Sequence, residues 1–70
     1  MGYRVWVTPT NKRAGYLEFG KVATEWGSGT YYSHPSAAKK AAQSWVSKNQ
    51  GTAEIQSYRE STIVETFYSK

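Results

Sequence analysis

Tyr3-Arg4-Val5-Trp6-Val7-Thr8 alternates, with Tyr3, Val5 and Val7 on one side and Arg4, Trp6 and Thr8 on the other. A period of two carried by strand-forming residues predicts a β-strand with one buried face. Pro9 cannot donate to a sheet ladder, and with Asn11 and Gly15 it predicts a hairpin loop over 9–15 whose tip, Lys12-Arg13, is basic. A second strand is expected over about 16–23, with Leu17 and Phe19 sharing a face and Gly20 marking a bulge or a close backbone approach. Glu25-Trp26-Gly27-Ser28-Gly29 reads as a turn, and Thr30-Tyr31-Tyr32-Ser33 as a short third strand completing an antiparallel meander.

From Pro35 to Asn49 the period lengthens to about 3.6, with Ala38, Ala41, Ala42, Trp45 and Val46 at the i, i+3, i+4, i+7, i+8 positions of one helix face. Pro35 suits the first helical position, behind Ser33 or His34 as cap, and Gly51 suits the left-handed residue beyond the helix end. The three alanines let this helix lie close to a sheet, while Trp45 fills a deeper gap. Lys39, Lys40, Ser44, Ser47 and Lys48 fall on the outward face. Two further strands are expected over 52–58 and 62–68, joined by a hairpin at Arg59-Glu60-Ser61. Ala53 and Ile55 form the inward pair of the first. In the second, Ile63 is expected inward and Glu65 near an edge or kink.

These elements predict an α+β fold: an antiparallel four- or five-stranded sheet in the order β-β-(β)-α-β-β, with one helix at about 35–49 packed on one face. Seventy residues make a single domain, 1–70, with no internal repeat. So short a chain buries only about 60% of the surface its unfolded form exposes, so its stability is expected to be marginal. Without Cys it has no disulfide and no thiolate metal site, and one His excludes a multi-histidine site within a monomer; no metal or cofactor is expected. Aromatic mass stands in their place, with three Trp, six Tyr and two Phe able to build a core without covalent staples. No apolar run reaches the length of a membrane span or a signal peptide, which predicts a cytoplasmic protein with no membrane partner. Met1-Gly2 lacks the Ser or Thr that myristoylation wants at position 6, where Trp6 stands.

The stretch from Ser36-Ala37-Ala38-Lys39-Lys40-Ala41-Ala42 to Asn49-Gln50-Gly51, with Ala53-Glu54-Ile55, Ser61-Thr62-Ile63-Val64-Glu65 and Phe67-Tyr68, resembles a small bacterial β-β-α-β-β domain family of unknown function. That family has an N-terminal hairpin containing Trp, an Ala- and Lys-rich helix, and two strands joined by a charged turn. Ser61 or Thr62 stands where the family has its turn Gly, and Trp26 lies later than its Trp. The resemblance implies the fold and no activity. Trp26-Gly27 is also similar to the start of a nucleic-acid-binding module with a Trp-Gly-Arg signature, with Ser28 in place of the Arg.

No catalytic residue is assigned. His34 is the one side chain able to act as a base at neutral pH, and beside Ser33 and Ser36 at a helix start it reads as a cap. The five Glu form no pair at acid–base or metal spacing. Binding is a different matter, because the net charge of +4 is unevenly placed: residues 35–49 contain Lys39, Lys40 and Lys48 and no acid, which makes the helix start a candidate anion site or simply a soluble face. The sheet face away from the helix carries Arg4 and Trp6, with Tyr16, Tyr32, Tyr58, Tyr68 and Arg59 as candidate neighbours. Such a face serves either as a platform for unstacked bases or as a surface that stacks within the domain or against a second subunit. The leading expectation is a non-enzymatic protein binding single- or double-stranded nucleic acid through Arg4, Trp6, Lys12, Arg13, Lys39, Lys40, Tyr58 and Arg59. The alternative is a protein-interaction module, a homodimer, inhibitor or adaptor, using the same face or an edge strand.

Overall fold

The computed structural model describes residues 2–18, 21–23, 29–57, 59 and 62–69, with the backbone alone for Lys21 and Ala23. The strands are β1 (Tyr3–Pro9), β2 (Gly15–Glu18), β3 (Lys21–Ala23), β4 (Gly51–Ser57) and β5 (Ile63–Tyr68), with one helix, α1 (Pro35–Lys48), between β3 and β4. They form one antiparallel sheet in the order β3-β2-β1-β4-β5. The fold is α+β, as the periodicities predict.

β1 occupies the centre because both of its edges are used. Along one it pairs with β4 over its whole length, from Tyr3 opposite Ser57 to Pro9 opposite Gly51. Along the other it pairs with β2 at Trp6 and Val7, and Tyr3 bridges to Tyr32. The bridge is reciprocal: the Tyr3 amide donates to the Tyr32 carbonyl at 2.7 Å and the Tyr32 amide to the Tyr3 carbonyl at 2.8 Å.

The alternation of β1 carries into the core as expected. Val5 and Val7 are fully enclosed, joined by Leu17, Ala53 and Ile55 from the sheet and by Ala38, Ala42 and Trp45 from α1. Three of these eight residues are alanines. They bring the helix axis close to the sheet, and Trp45 supplies the volume they lack. Pro35 opens α1 at a position where a missing N–H costs nothing. His34 is the N-cap by backbone geometry, and its side chain makes no capping hydrogen bond.

At the other end of α1 the chain must reverse within three residues to enter β4. Asn49 closes the helix in an extended conformation, its amide and its side-chain Nδ2 both donating to the Trp45 carbonyl, at 2.9 and 3.0 Å. The Ser69 hydroxyl then fastens the exit, accepting from the Gly51 amide at 3.0 Å and donating to the Asn49 carbonyl at 2.5 Å. Gly51 has φ +145°, and a Cβ there would run into the Thr8 carbonyl across the ladder. Its role is therefore close approach inside β4, not the left-handed helix terminator the sequence suggests, because Asn49 has already ended the helix.

Three other expectations are corrected. The strand over 16–23 is two strands, β2 and β3, paired to each other through Leu17 opposite Val22 and Glu18 opposite Lys21. Gly20 and Phe19 lie outside the described residues. The strand over 30–33 is only the Tyr3–Tyr32 bridge, on the same edge of β1 that pairs with β2 at Trp6 and Val7. Ile63 does not face inward. The β4–β5 register shifts between Ile55 and Gln56, so Val64 is extra and Ile63 lies opposite Gln56, on the side away from the helix and 56% exposed.

Two substitutions test this account. Gly51→Ala is expected to cost about 1–3 kcal/mol from strain at positive φ and the clash with β1, lowering Tm by several degrees in a circular-dichroism melt. Trp45→Ala is expected to cost about 3–5 kcal/mol against a total of roughly 4–10 kcal/mol for a chain this long, leaving much of it unfolded at 37 °C.

Candidate binding face

Register makes the sheet face opposite α1 a grid. Residues directly opposed in an antiparallel pair share a face, so Tyr16, Trp6, Glu54 and Thr66 form its middle row. Arg4, Gln56 and Ile63 form the row beside it, and Thr8, Thr52 and Tyr68 the row on the other side. Glu18, two residues beyond Tyr16 on β2, belongs to the same face.

At the centre three side chains lock together. The Trp6 and Tyr16 rings meet edge to face, with centroids 4.7 Å apart and planes at 74°. The Arg4 guanidinium carbon lies 4.3 Å above the Tyr16 ring centroid. The Tyr16 hydroxyl reaches across β1 and donates to Gln56 Oε1 at 3.4 Å. All three residues are half-buried although no helix covers them. The ring quadrupole accounts for both contacts, drawing the cation to the face of Tyr16 and favouring the T-shaped approach of Trp6.

The expected site residues are dispersed. Arg4 and Trp6 sit on the open face as predicted. Lys12 and Arg13 are exposed in the β1–β2 loop, at the end of the sheet where β1 finishes. Arg59 follows β4, whose last residue pairs with Tyr3, so it lies at the opposite end, about 20 Å away along a strand of this length. Lys39 and Lys40 are exposed on α1, which covers the other face. Tyr58 lies outside the described residues, as does Trp26. Among the described side chains, the open face carries Arg4 against Glu18 and Glu54, and Glu54 stands directly beside Trp6. The Glu18 carboxylate also accepts from the Gly29 amide at 3.2 Å.

The helix start offers little to an anion. Pro35 has no N–H, and the Ala37 and Ala38 amides donate to the His34 carbonyl at 3.2 and 3.4 Å. Among the described residues no group of three or more His, Asp or Glu side chains is placed to hold a metal ion, and no helix is long and apolar enough to cross a membrane. A groove of about 620 Å³ lies between the C-terminal half of α1 and the end of β5, and its lining includes Val46, Lys48, Phe67 and Tyr68. Among the described residues no carboxylate, imidazole or thiol lines it.

The sequence predicts β5 and offers Tyr68 to the open face, but it does not mark the strand as an exposed apolar edge. Its Ile63, Val64 and Tyr68 are 56%, 52% and 70% exposed. The signal was present in the sequence as an apolar run with a single charge, Glu65, but its exposure depends on the bulge and on which side of the sheet the helix takes.

The central cluster gives a measurable coupling. Tyr16→Ala is expected to destabilise by about 2–3 kcal/mol in urea unfolding, through the lost ring contact, cation contact and burial. A double-mutant cycle with Arg4→Ala is expected to return about 0.5–1 kcal/mol for the Arg4–Tyr16 pair. No protein-family model, curated protein sequence or solved structure matches the chain.

Proposed function

We propose that this chain is a small non-enzymatic binding domain that meets another protein through the edge strand β5 and the adjoining open face of the sheet. The observation that carries this reading is the concentration of exposed apolar side chains on one edge strand: Ile63, Val64 and Tyr68, each more than half exposed. β5 ends the sheet, with no further strand beside it among the described residues. An edge strand presents a row of backbone donors and acceptors, and proteins normally blunt it with charge or Pro; here Glu65 is the one charge in six residues. Backbone pairing along such an edge, with alternate side chains in contact, is a general mode of peptide recognition.

Nucleic-acid binding is the second reading. Lys12 and Arg13 at the loop tip and Arg4 and Trp6 on the face favour it. It ranks lower because Arg4 is already stacked on Tyr16, Glu54 stands beside Trp6, and Lys39, Lys40 and Arg59 lie elsewhere. Phosphate neutralisation draws on clustered cations, and this distribution supplies few at any one place.

Amide-shift titrations separate the two. Short single-stranded and duplex oligonucleotides at low salt are expected to leave Arg4, Trp6, Lys12 and Arg13 unmoved, whereas an extended peptide selected from a display library is expected to slow hydrogen exchange along β5. Salt-sensitive shifts at those four residues with β5 unaffected reverse the ranking. Tyr68→Lys is expected to abolish peptide binding while changing stability by no more than about 0.5 kcal/mol, because the ring is mostly exposed.

A further inference from the structure

Resting on that reading, we infer that the partner of β5 is a second copy of this chain: two β5 strands pair antiparallel about a two-fold axis at Thr66, and Glu65 of each chain enters the α1–β5 groove of the other beside Lys48.

The hydrogen-bond phase of β5 sets the register. The Ser69 amide donates to the Gly51 carbonyl of β4 at 3.0 Å. In an antiparallel ladder the peptide groups alternate in direction, so Glu65 and Phe67 turn theirs toward β4 while Thr66 and Tyr68 turn theirs to the free edge. Pairing Thr66 with its own copy makes it a hydrogen-bonded pair, with Val64 and Tyr68 of opposite chains bonding on either side. Opposed residues share a face, so Val64 packs against the Tyr68 ring of the second copy, covering the two side chains that are 52% and 70% exposed. A β-branched residue against an aromatic, and Thr against Thr, are favourable cross-strand pairs.

On the helix side the same register places Glu65 opposite Phe67 of the second copy. Phe67 lines the groove together with Lys48, at the helix C-terminal end. A carboxylate delivered there meets an ammonium, and symmetry makes the contact twice. Neighbouring registers lack this match. Centring the axis on Glu65 sets two carboxylates face to face, and centring it on Phe67 moves Glu65 opposite Ser69 and takes Val64 away from Tyr68. The contact is small for a stable assembly, so the dimer is expected to form in the micromolar range.

Sedimentation equilibrium from micromolar to millimolar concentration should show the mass rising from one chain to two. Over the same range, amide exchange at Thr66 and Tyr68 should slow while that at Glu65 and Phe67, already bonded to β4, stays constant. Glu65→Lys and Lys48→Glu should each weaken association at least tenfold, and the double variant should recover most of it. A chain that stays monomeric overturns the inference, as does a dimer indifferent to both charge reversals. If the monomer still shows slowed exchange at Thr66 and Tyr68 with the selected peptide, the second copy is refuted and the protein-binding reading stands; if neither partner affects β5, both fall.

Discussion

A single short helix can shield only part of a five-stranded sheet, and most of this molecule's character follows from that mismatch. A helix is about 10 Å across and strands lie about 4.8 Å apart, so α1 roofs roughly two strands. The two it roofs are β1 and β4, where Val5, Val7, Ala53 and Ile55 are fully enclosed beneath Ala38 and Ala42. Leu17 is reached by the breadth of Trp45. At β5 the cover has thinned, and Phe67 is only partly buried. Ile63, Val64 and Tyr68 lie on the other side of β5, the side away from α1, and are more than half exposed.

On the uncovered side the chain has solved the same difficulty differently. The centre of the open face is sealed by its own side chains, with the Tyr16 ring under the Arg4 guanidinium and meeting Trp6 edge to face. Three residues from two strands thereby do part of what a second helix would do. The cost falls on function, since a guanidinium engaged with a ring is less available to a phosphate.

Local periodicity made much of this readable. The run Ala38, Ala41, Ala42, Trp45, Val46 marked both the helix and its buried side, and the alternation of 3–8 separated core from open face correctly. The misreadings all concern relations between segments. Nothing within 16–23 distinguishes one strand from a tight pair of strands, because Gly20 suits a bulge as well as a turn. Tyr31 and Tyr32 have strand propensity, yet a strand also needs a run of partners, and this segment pairs with β1 only through Tyr32 and Tyr3. The parity of 62–68 was ambiguous because Val64 is extruded by a bulge, which belongs to the pairing with β4 and not to β5 itself. For the candidate site, Arg4 and Trp6 were legible as neighbours on one face. Their link to Tyr16 requires the hairpin register, and the separation of Lys39, Lys40 and Arg59 requires the topology.

A sheet has two ends, and a protein that leaves one of them able to pair risks adding copies without limit. At the opposite end the described part of β3 is Lys21–Ala23, while β5 is the longer edge, six residues from Ile63 to Tyr68. Two copies that pair β5 with β5 about a two-fold axis use up both long edges at once, so the proposed pair offers no third copy the same site.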